Sequence, residues 1–443
     1  MRASFQTETG EPSGLTAVPI TKCRLCHSEK FIRLISLGNQ HVSDFVTSKG
    51  DSPRSPLELV RCANCSLVQL KHTFPRDSLY RHYWYRSGIS STMRGALEDI
   101  VEKVGKIANP MRGDVVIDIG CNDGTLLRAY KSLDVRRVGF EPAKNLVEDA
   151  MRGTDYIFND YFRFDLFRKK FPESKAKIVT SIAMFYDLDD PTRFVIDVSK
   201  LLDPDGVWVI QQNYLPTMLV QNGFDNIGHE HLTYYSLETL SRLLAKQDLE
   251  IFDVETNDVN GGSFRTYVSH RGRFPLNESV LRLKDYEKKL FSRRPSIYTE
   301  FAKNVRTLGL QLRGFVAKEV NDGKSIYVYG ASTRGNTILQ YCKLDHNLIE
   351  KATDANPEKW GRKTPGTGIP IVSKEEARKD KPDYFLVLPH HFLSEIQRQE
   401  SDYLRSGGKF ILPLPKFRIV NYATKEAQNN AEKFDSSSRN EIN

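Results

Sequence analysis

Between residues 113 and 270 short apolar runs recur, each followed by room for a helix: VVIDIG (115–120), VGFEP (138–142), KIVTSIAMF (177–185) and GVWVIQQNY (206–214). Residues 143–152 and 191–202 between them carry apolar positions at helical spacing. Runs apolar on both faces must be covered on both faces, so this alternation predicts an α/β fold, a parallel sheet with helices on either side. The pattern returns in SIYVYGA (325–331), TRGNTILQY, IEKATDA, IPIV, YFLVLP (384–389) and KFILPLP (409–415), which predicts a second, smaller α/β unit. Residues 275–322 are charged, with Leu276, Val280, Leu283, Tyr286 and Leu290, then Phe301, Val305, Leu308 and Leu312, at three- and four-residue spacing, and predict helices joining the two units. A chain of 443 residues exceeds one core. We divide it into polar, disordered tails at 1–20 and 422–443, a small β-rich module at 21–75, the first α/β unit at 76–272, connecting helices at 273–323 and the second unit at 324–421.

The small module carries Cys23-x-x-Cys26 and Cys62-x-x-Cys65. Each pair closes a tight knuckle that can present two thiolates to one tetrahedral ion, and four protein ligands complete a structural zinc shell. Reduced structural thiols or a disulfide are the alternatives. The stretch between the pairs is long for a zinc ribbon and suits an inserted hairpin, His27 reads as a bystander, and Cys121 and Cys342 read as packing thiols.

The first strand of the larger unit runs into Gly120-Cys121-Asn122-Asp123-Gly124. Gly120 and Gly124 let a ligand approach the backbone. Asp118 at the strand end would repel a pyrophosphate and suits a cationic ligand, and the turn is not the dinucleotide fingerprint. Glu141-Pro142 closes the second strand, where a carboxylate can accept both ribose hydroxyls, and Asn159-Asp160 ends the next apolar stretch, in place to meet an adenine edge. A cationic amino-acid end, a ribose and an adenine laid across strand ends describe S-adenosylmethionine. The alternative is a nucleotide-free sheet with loop carboxylates.

After the strand at 206–214 comes Gly228-His229-Glu230-His231-Leu232-Thr233-Tyr234-Tyr235-Ser236, before a helix at 237–247. Two histidines flanking a carboxylate beside a cofactor crevice can supply a general base and a group that orients it. Structural histidines, or a metal site despite unsuitable spacing, are the competing readings. Asn260-Gly261-Gly262-Ser263-Phe264-Arg265 could hold an anion on Arg265 or be a plain hairpin turn. Gly330-Ala331-Ser332-Thr333-Arg334, strand into helix, offers either an anion-receptive helix start or close strand–helix packing.

Lys plus Arg (64) exceed Asp plus Glu (56), a net charge of +8 that fits a phosphorylated small molecule, without the long basic stripe of a nucleic-acid binder. The composition excludes a membrane-spanning or wholly disordered chain, and the N-terminal residues lack the apolar core of a secretory signal, so the cytoplasm is the expected compartment. The oligomeric state stays open, a monomer included.

Taken together, residues 21 to 418 resemble the deoxysugar C-methyltransferases that act on nucleotide-linked keto sugars, the group of the antibiotic-sugar C-3-methyltransferases. The resemblance rests on the paired C-x-x-C module, Leu67-Val68-Gln69-Leu70, VVIDIGCNDGTLL, GFEPAKN, the HEH-x-x-Tyr-Tyr-Ser run, GGSFR, YGASTRGNT and Pro365-Gly366-Thr367-Gly368-Ile369-Pro370-Ile371. It implies an N-terminal zinc domain, a central class I methyltransferase domain with a Rossmann-like parallel sheet that binds S-adenosylmethionine, and a C-terminal Rossmann-like domain that helps bracket the sugar nucleotide. It also places His231 as the base with Glu230 beside it, and Tyr85 facing the sugar. Met184, Gly228 and Asn260 stand where the family often has His, Tyr or Cys, and His, which leaves the sugar and the methylated carbon open. The implied reaction removes a proton next to a ketone with His231 and holds the enolate oxygen with Tyr85 or His229 while carbon takes the methyl group. The rivals are methylation of another acceptor, at oxygen, nitrogen or RNA, and a non-catalytic cofactor-binding protein.

Overall fold

The structure, a computed structural model, describes residues 16–47, 52–294 and 296–423. Of the tails expected at 1–20 and 422–443, residues 1–15 and 424–443 lie outside the described residues. From Val18 the chain is paired: β1 (Val18–Pro19) lies antiparallel to β5 (His72–Thr73). β2 (Phe31–His41) and β3 (Arg54–Cys62) form the hairpin anticipated between the cysteine pairs, and β4 (Val68–Leu70) extends it.

The central sheet is built from β6 (Val115–Ile119), β7 (Arg136–Phe140), β8 (Tyr156–Phe158), β9 (Ala176–Ile182), β10 (Leu202–Asn213), β12 (Leu249–Asn257) and β13 (Ser263–His270). Its order is β12-β13-β10-β9-β6-β7-β8. Five strands are parallel, as their apolar runs predict, but β13 runs antiparallel to both β10 and β12. The reason lies in the Asn260-Gly261-Gly262 turn, which returns the chain directly into the neighbouring strand and leaves no room for a crossover helix. All five residues of β6 are buried, each Val or Ile contributing roughly 1.5–3 kcal/mol relative to exposure. The helix Ser91–Ala108 covers one face with Met93, Leu97, Ile100, Val101 and Val104 and is capped by Ser90, whose side chain accepts from Met93 N. Pro191–Leu201 starts on Asp190 and a first-turn proline and covers the other face.

The residues that follow the fifth central strand leave this sheet. β11 (Thr233–Tyr234) pairs antiparallel with β4, so the N-terminal sheet reads β11-β4-β3-β2. Two long helices, Glu278–Arg293 and Ile297–Asn321, lead to the second α/β unit. There β14 (Ile326–Tyr329), β15 (Ala352–Thr353), β16 (Ile371–Val372), β17 (Tyr384–Val387), β18 (Lys409–Leu412) and β19 (Arg418–Val420) are ordered β16-β15-β14-β17-β18-β19, parallel except for β19. In both sheets the chain moves outward on one side of its first strand and returns on the other, which opens a crevice at the strands' carboxyl ends. No described helix is long and apolar enough to cross a membrane.

Arg24, inside the first cysteine knuckle, joins the N-terminal module to the central sheet. Its buried guanidinium donates to Leu70 O (2.8 Å), Thr73 Oγ1 (2.6 Å) and, beyond β9, Asp189 Oδ1 (3.1 Å). Arg24→Ala removes the guanidinium donor from Leu70 O and Thr73 Oγ1 and leaves Asp189 Oδ1 with the Thr73 hydroxyl alone; it is expected to cost about 2–3 kcal/mol, read as a lower urea midpoint for the first unfolding transition.

Candidate functional site

The loops at the carboxyl ends of both sheets, together with the segment 80–87, line one cleft of 1180 Å³. At the central sheet it is bounded by Asp118, Gly120, Asn122, Glu141, Pro142 and Asp160, and beyond β9 by Met184, Tyr186 and Asp187. Glu230, His229 and His231 close one wall, and Ser332, Thr333, Arg334 and His391 of the second unit face them.

Asp118 sits at the sheet's switch point. Burial pushes its carboxyl up to about 7, only partly offset by the hydroxyl of Thr180, which donates to Oδ1 at 2.6 Å. A carboxyl so placed is returned to its charged form by an incoming cation. Gly120 (φ +75°) follows, and a Cβ there would come within 3.1 Å of Met184 Cγ, so the backbone stays bare against the cleft. Glu141, also raised to about 7 chiefly by burial, accepts from Asn122 N (2.7 Å) and Ala143 N (2.8 Å). Each of its oxygens retains a further lone pair for a hydroxyl donor. Asn159 donates to Glu141 O at 2.8 Å and so braces that loop, while Asp160 is held by Arg81 at 3.3 Å on the cleft rim.

Asn122, which lines the cleft, and Asp123 beside it both engage the segment 85–88 through their side chains. The Asn122 side chain accepts from Ser87 N and donates to Tyr85 O, and Asp123 accepts from Gly88 N and from Thr125. They fasten the aromatic segment over the cleft. Gly124 (φ +78°) lies behind the turn, where a Cβ would meet Ala150 O at 2.9 Å, so it serves helix packing. Arg265, read as a possible anion holder, is buried and bonded to Asp99, Glu255 and Gln211. Arg334 instead pairs with buried Asp225 at 2.6 Å and donates to Asn260 O, and this pairing keeps Asp225 well below the usual carboxylate range despite its burial.

His231 donates through Nδ1 to Asn226 O (2.7 Å); a carbonyl can only accept, so Nε2 is left as a bare acceptor. Its ring stands edge-on to Tyr186 at 4.4 Å, and burial lowers its pKa to about 4. His229 donates through Nε2 to Ser55 O (3.0 Å) on β3 and is lowered to about 4 for the same reason. Glu230 receives the Tyr83 hydroxyl at 3.2 Å, its backbone carbonyl receives that of Tyr80 at 3.0 Å, and burial raises its carboxyl to about 7. Tyr85 lies on the cleft wall with 39% of its surface exposed. Tyr80, Tyr83 and Asp187 were not singled out from the sequence; the clustering of Tyr80, Tyr83 and Tyr85 before the first long helix was the available signal.

The four cysteine sulfurs lie within 4.8 Å of one another, Cys23 to Cys65 at 3.6 Å and Cys26 to Cys62 at 3.5 Å. Four Zn–S bonds of about 2.3 Å place sulfurs about 3.8 Å apart, so the cluster needs almost no adjustment to take the ion. Gln69 Nε2 donates to Cys23 Sγ at 3.2 Å and steadies a thiolate. His27 takes no part.

The arrangement is that of a class I S-adenosylmethionine-dependent methyltransferase bearing a zinc-binding N-terminal module. Family models match in the same order: "Putative zinc binding domain" over residues 23–80, "Methyltransferase domain" over 89–254 and "C-methyltransferase C-terminal domain" over 258–415. The chain is 32% identical over 415 residues to C-methyltransferase NovU of Streptomyces niveus, covering 91% of this chain and 97% of NovU, and it belongs to this C-methyltransferase family. Solved structures show only a distant likeness. An S-adenosylmethionine-dependent methyltransferase from Clostridium acetobutylicum is 13% identical, with 40% of this chain and 92% of that one covered and a TM-score of 0.33. The cyclopropane synthase MmaA2 from Mycobacterium tuberculosis is 15% identical, with 51% and 82% covered and a TM-score of 0.31.

Glu141→Gln exchanges a doubly bonded carboxylate for an amide and is expected to weaken S-adenosylmethionine binding by about tenfold or more, measured by calorimetry. Stripping the metal with a strong chelator is expected to remove one zinc per chain, measured by elemental analysis, and to lower the thermal midpoint of the protein.

Proposed function

We propose that this enzyme C-methylates a keto-deoxysugar carried on a nucleotide diphosphate, with His231 removing the proton next to the ketone. The observation that carries this reading is the anchored imidazole: Nδ1 held by Asn226 O, Nε2 bare, and a ring kept neutral by burial in the cleft that also holds Asp118 and Glu141. A neutral nitrogen base beside a methyl donor suits a carbon acid, which is not nucleophilic until its proton is removed.

Bound at the strand ends, S-adenosylmethionine supplies an electrophilic methyl group. Asp118 is suited to its ammonium, Glu141 to its ribose hydroxyls, and the chain near Asn159 and Asp160 to its adenine. Asn122, Asp123 and Gly124 support these positions by holding the turn, and Pro142 lines the cleft beside Glu141. Glu230, hydrogen-bonded by Tyr83, borders the base, and the Tyr85 hydroxyl has no protein partner among the described residues, so it is free to donate to a substrate oxygen. His229 presents Nδ1 without a proton, because Nε2 carries the hydrogen given to Ser55 O, and therefore acts as an acceptor. The charge of +8 suits a diphosphate acceptor in the cytoplasm, not a nucleic acid. In this reading the zinc module spans 21–75, the methyltransferase unit 76–272, the connecting helices 273–323 and the C-terminal unit 324–421.

Nucleotide-linked 4-keto-6-deoxyhexoses incubated in D2O with enzyme and S-adenosylmethionine are expected to gain a methyl group on carbon, and without cofactor to take up deuterium beside the ketone, both read by mass spectrometry. Cofactor binding with neither change overturns the assignment. His231→Ala is expected to abolish both events and leave cofactor affinity intact. With S-adenosylmethionine saturating, the base form of His231 persists down to its lowered pKa, so the acidic limb of kcat/KM for the sugar is expected as the pH falls toward about 4 and not near the ordinary imidazole value.

A further inference from the structure

An enolate needs a hydrogen-bond donor or a cation at its oxygen; besides the Tyr85 hydroxyl, the cleft wall at His231 offers the guanidinium of Arg334, which is engaged with Asp225 and Asn260 O. Asp187, the residue after the tyrosine packed on His231, lines this wall next to Glu230, and its Oδ1 is buried with no hydrogen-bond partner. Among the described residues neither Asp187 nor Glu230 has a Lys, Arg or His partner. The titratable groups bearing on Asp187 are Glu230, Tyr80, Tyr83, Tyr186 and Tyr234, all acids. Two carboxylates in such a setting do not both ionise. Glu230 is the one that receives the Tyr83 hydroxyl, which favours its charged form, whereas Tyr80, the hydrogen-bonding neighbour of Asp187, also donates to Glu230 O.

We propose that Asp187 works as a neutral carboxylic acid whose O–H donates to the substrate's carbonyl oxygen, and so holds the enolate that forms when His231 takes the proton. The inference rests on the keto-sugar reading. In the step, the C–H proton passes to His231 Nε2, the C–H electron pair moves into the enolate, and Asp187 keeps its proton throughout. The enolate pair would then form the bond to the methyl carbon while the bond between that carbon and the sulfonium sulfur breaks and leaves its electrons on sulfur; the carbonyl is restored, and His231 yields its proton to solvent. Burial and the charge of Glu230 both push the Asp187 carboxyl well above its ordinary value, which is what a donor at neutral pH requires. The donor form is lost as the pH rises through that raised value, so the wild-type rate falls on the alkaline side.

The test compares wild type, Asp187→Asn and Asp187→Ala as full-length, zinc-loaded proteins, each with cofactor affinity and thermal midpoint measured as folding controls. Asp187→Ala is expected to lower kcat about 100-fold or more, the loss typical of one oxyanion donor, with cofactor affinity kept. Asp187→Asn, which still donates but cannot ionise, is expected to stay within about tenfold of wild type and to lack the alkaline decline of kcat/KM. An Asn variant as impaired as the Ala variant, or an Ala variant as fast as wild type, overturns the proposal. Carbon NMR of side-chain-labelled aspartate adds a readout free of substrate: a carboxylic-acid resonance at neutral pH that Asp187→Asn removes is expected, and a carboxylate resonance for Asp187 overturns the proposal. Failure of the keto-sugar reading itself is distinguishable, because wild type then methylates no keto sugar before any variant is compared.

Discussion

Two backbone pairings decide whether this cleft works: Thr233 with Gln69 and Tyr234 with Val68. They place the strand that follows His231 on the edge of the N-terminal sheet, and Leu70 N adds a hydrogen bond to Leu232 O at 2.9 Å. His229 reaches further into that sheet to Ser55 O. On the other flank Leu215 N, at the start of the helix that follows β10, donates to Tyr235 O, so the histidine segment is fastened between the N-terminal sheet and that helix. Register is decisive in such an arrangement, since a slip by one residue would turn the side chains of β11 to the opposite face and shift the histidines with them. The zinc site stands at the root of the pairing. Cys62 ends β3 and Cys65 precedes β4, so the metal closes the hairpin on which β11 lies.

The cleft holds two groups of acids with opposite destinies. Asp118 and Glu141 lie where a positively charged, hydroxyl-bearing ligand can restore their ionised forms, and both are raised to about 7 without one. Asp187 and Glu230 lie among phenols, and no cation reaches them among the described residues. The same cause, burial, thus prepares one pair to receive charge and keeps a member of the other neutral. Arg334, a guanidinium lining the same cleft, pairs with Asp225 and donates to Asn260 O.

Much of this was legible in the chain. The cysteine pairs define the metal cluster because four thiolates in two knuckles have few other uses, and the apolar runs at 115–120, 138–142 and 177–185 locate the parallel core. Glu141 stands just past the end of β7, where the apolar run predicts the strand to close. What stayed hidden depends on direction in space. The spacing of Asn122 and Asp123 shows that they share a turn but not that their side chains accept from the backbone amides of Ser87 and Gly88. The reversal of β13 hinges on a two-glycine turn whose path the letters leave ambiguous, and with it Arg265 becomes a buried ion-pair partner. Asp187 carries no motif. Its surroundings are its neighbour Tyr186 together with Glu230, Tyr80, Tyr83 and Tyr234 from distant segments.

The borrowed strand also imposes an order on synthesis. When the N-terminal module emerges from the ribosome, β2, β3 and β4 are complete and the metal ligands are all present, yet the outer edge of β4 has no neighbour until residue 234 has been made. An open apolar edge invites pairing with other chains. The three residues of Val68–Leu70 make that edge short, which limits the hazard during the interval, and the nascent sheet waits for the segment that carries His229 and His231. Metal capture early in translation and assembly of the reactive centre late are therefore two ends of one folding event.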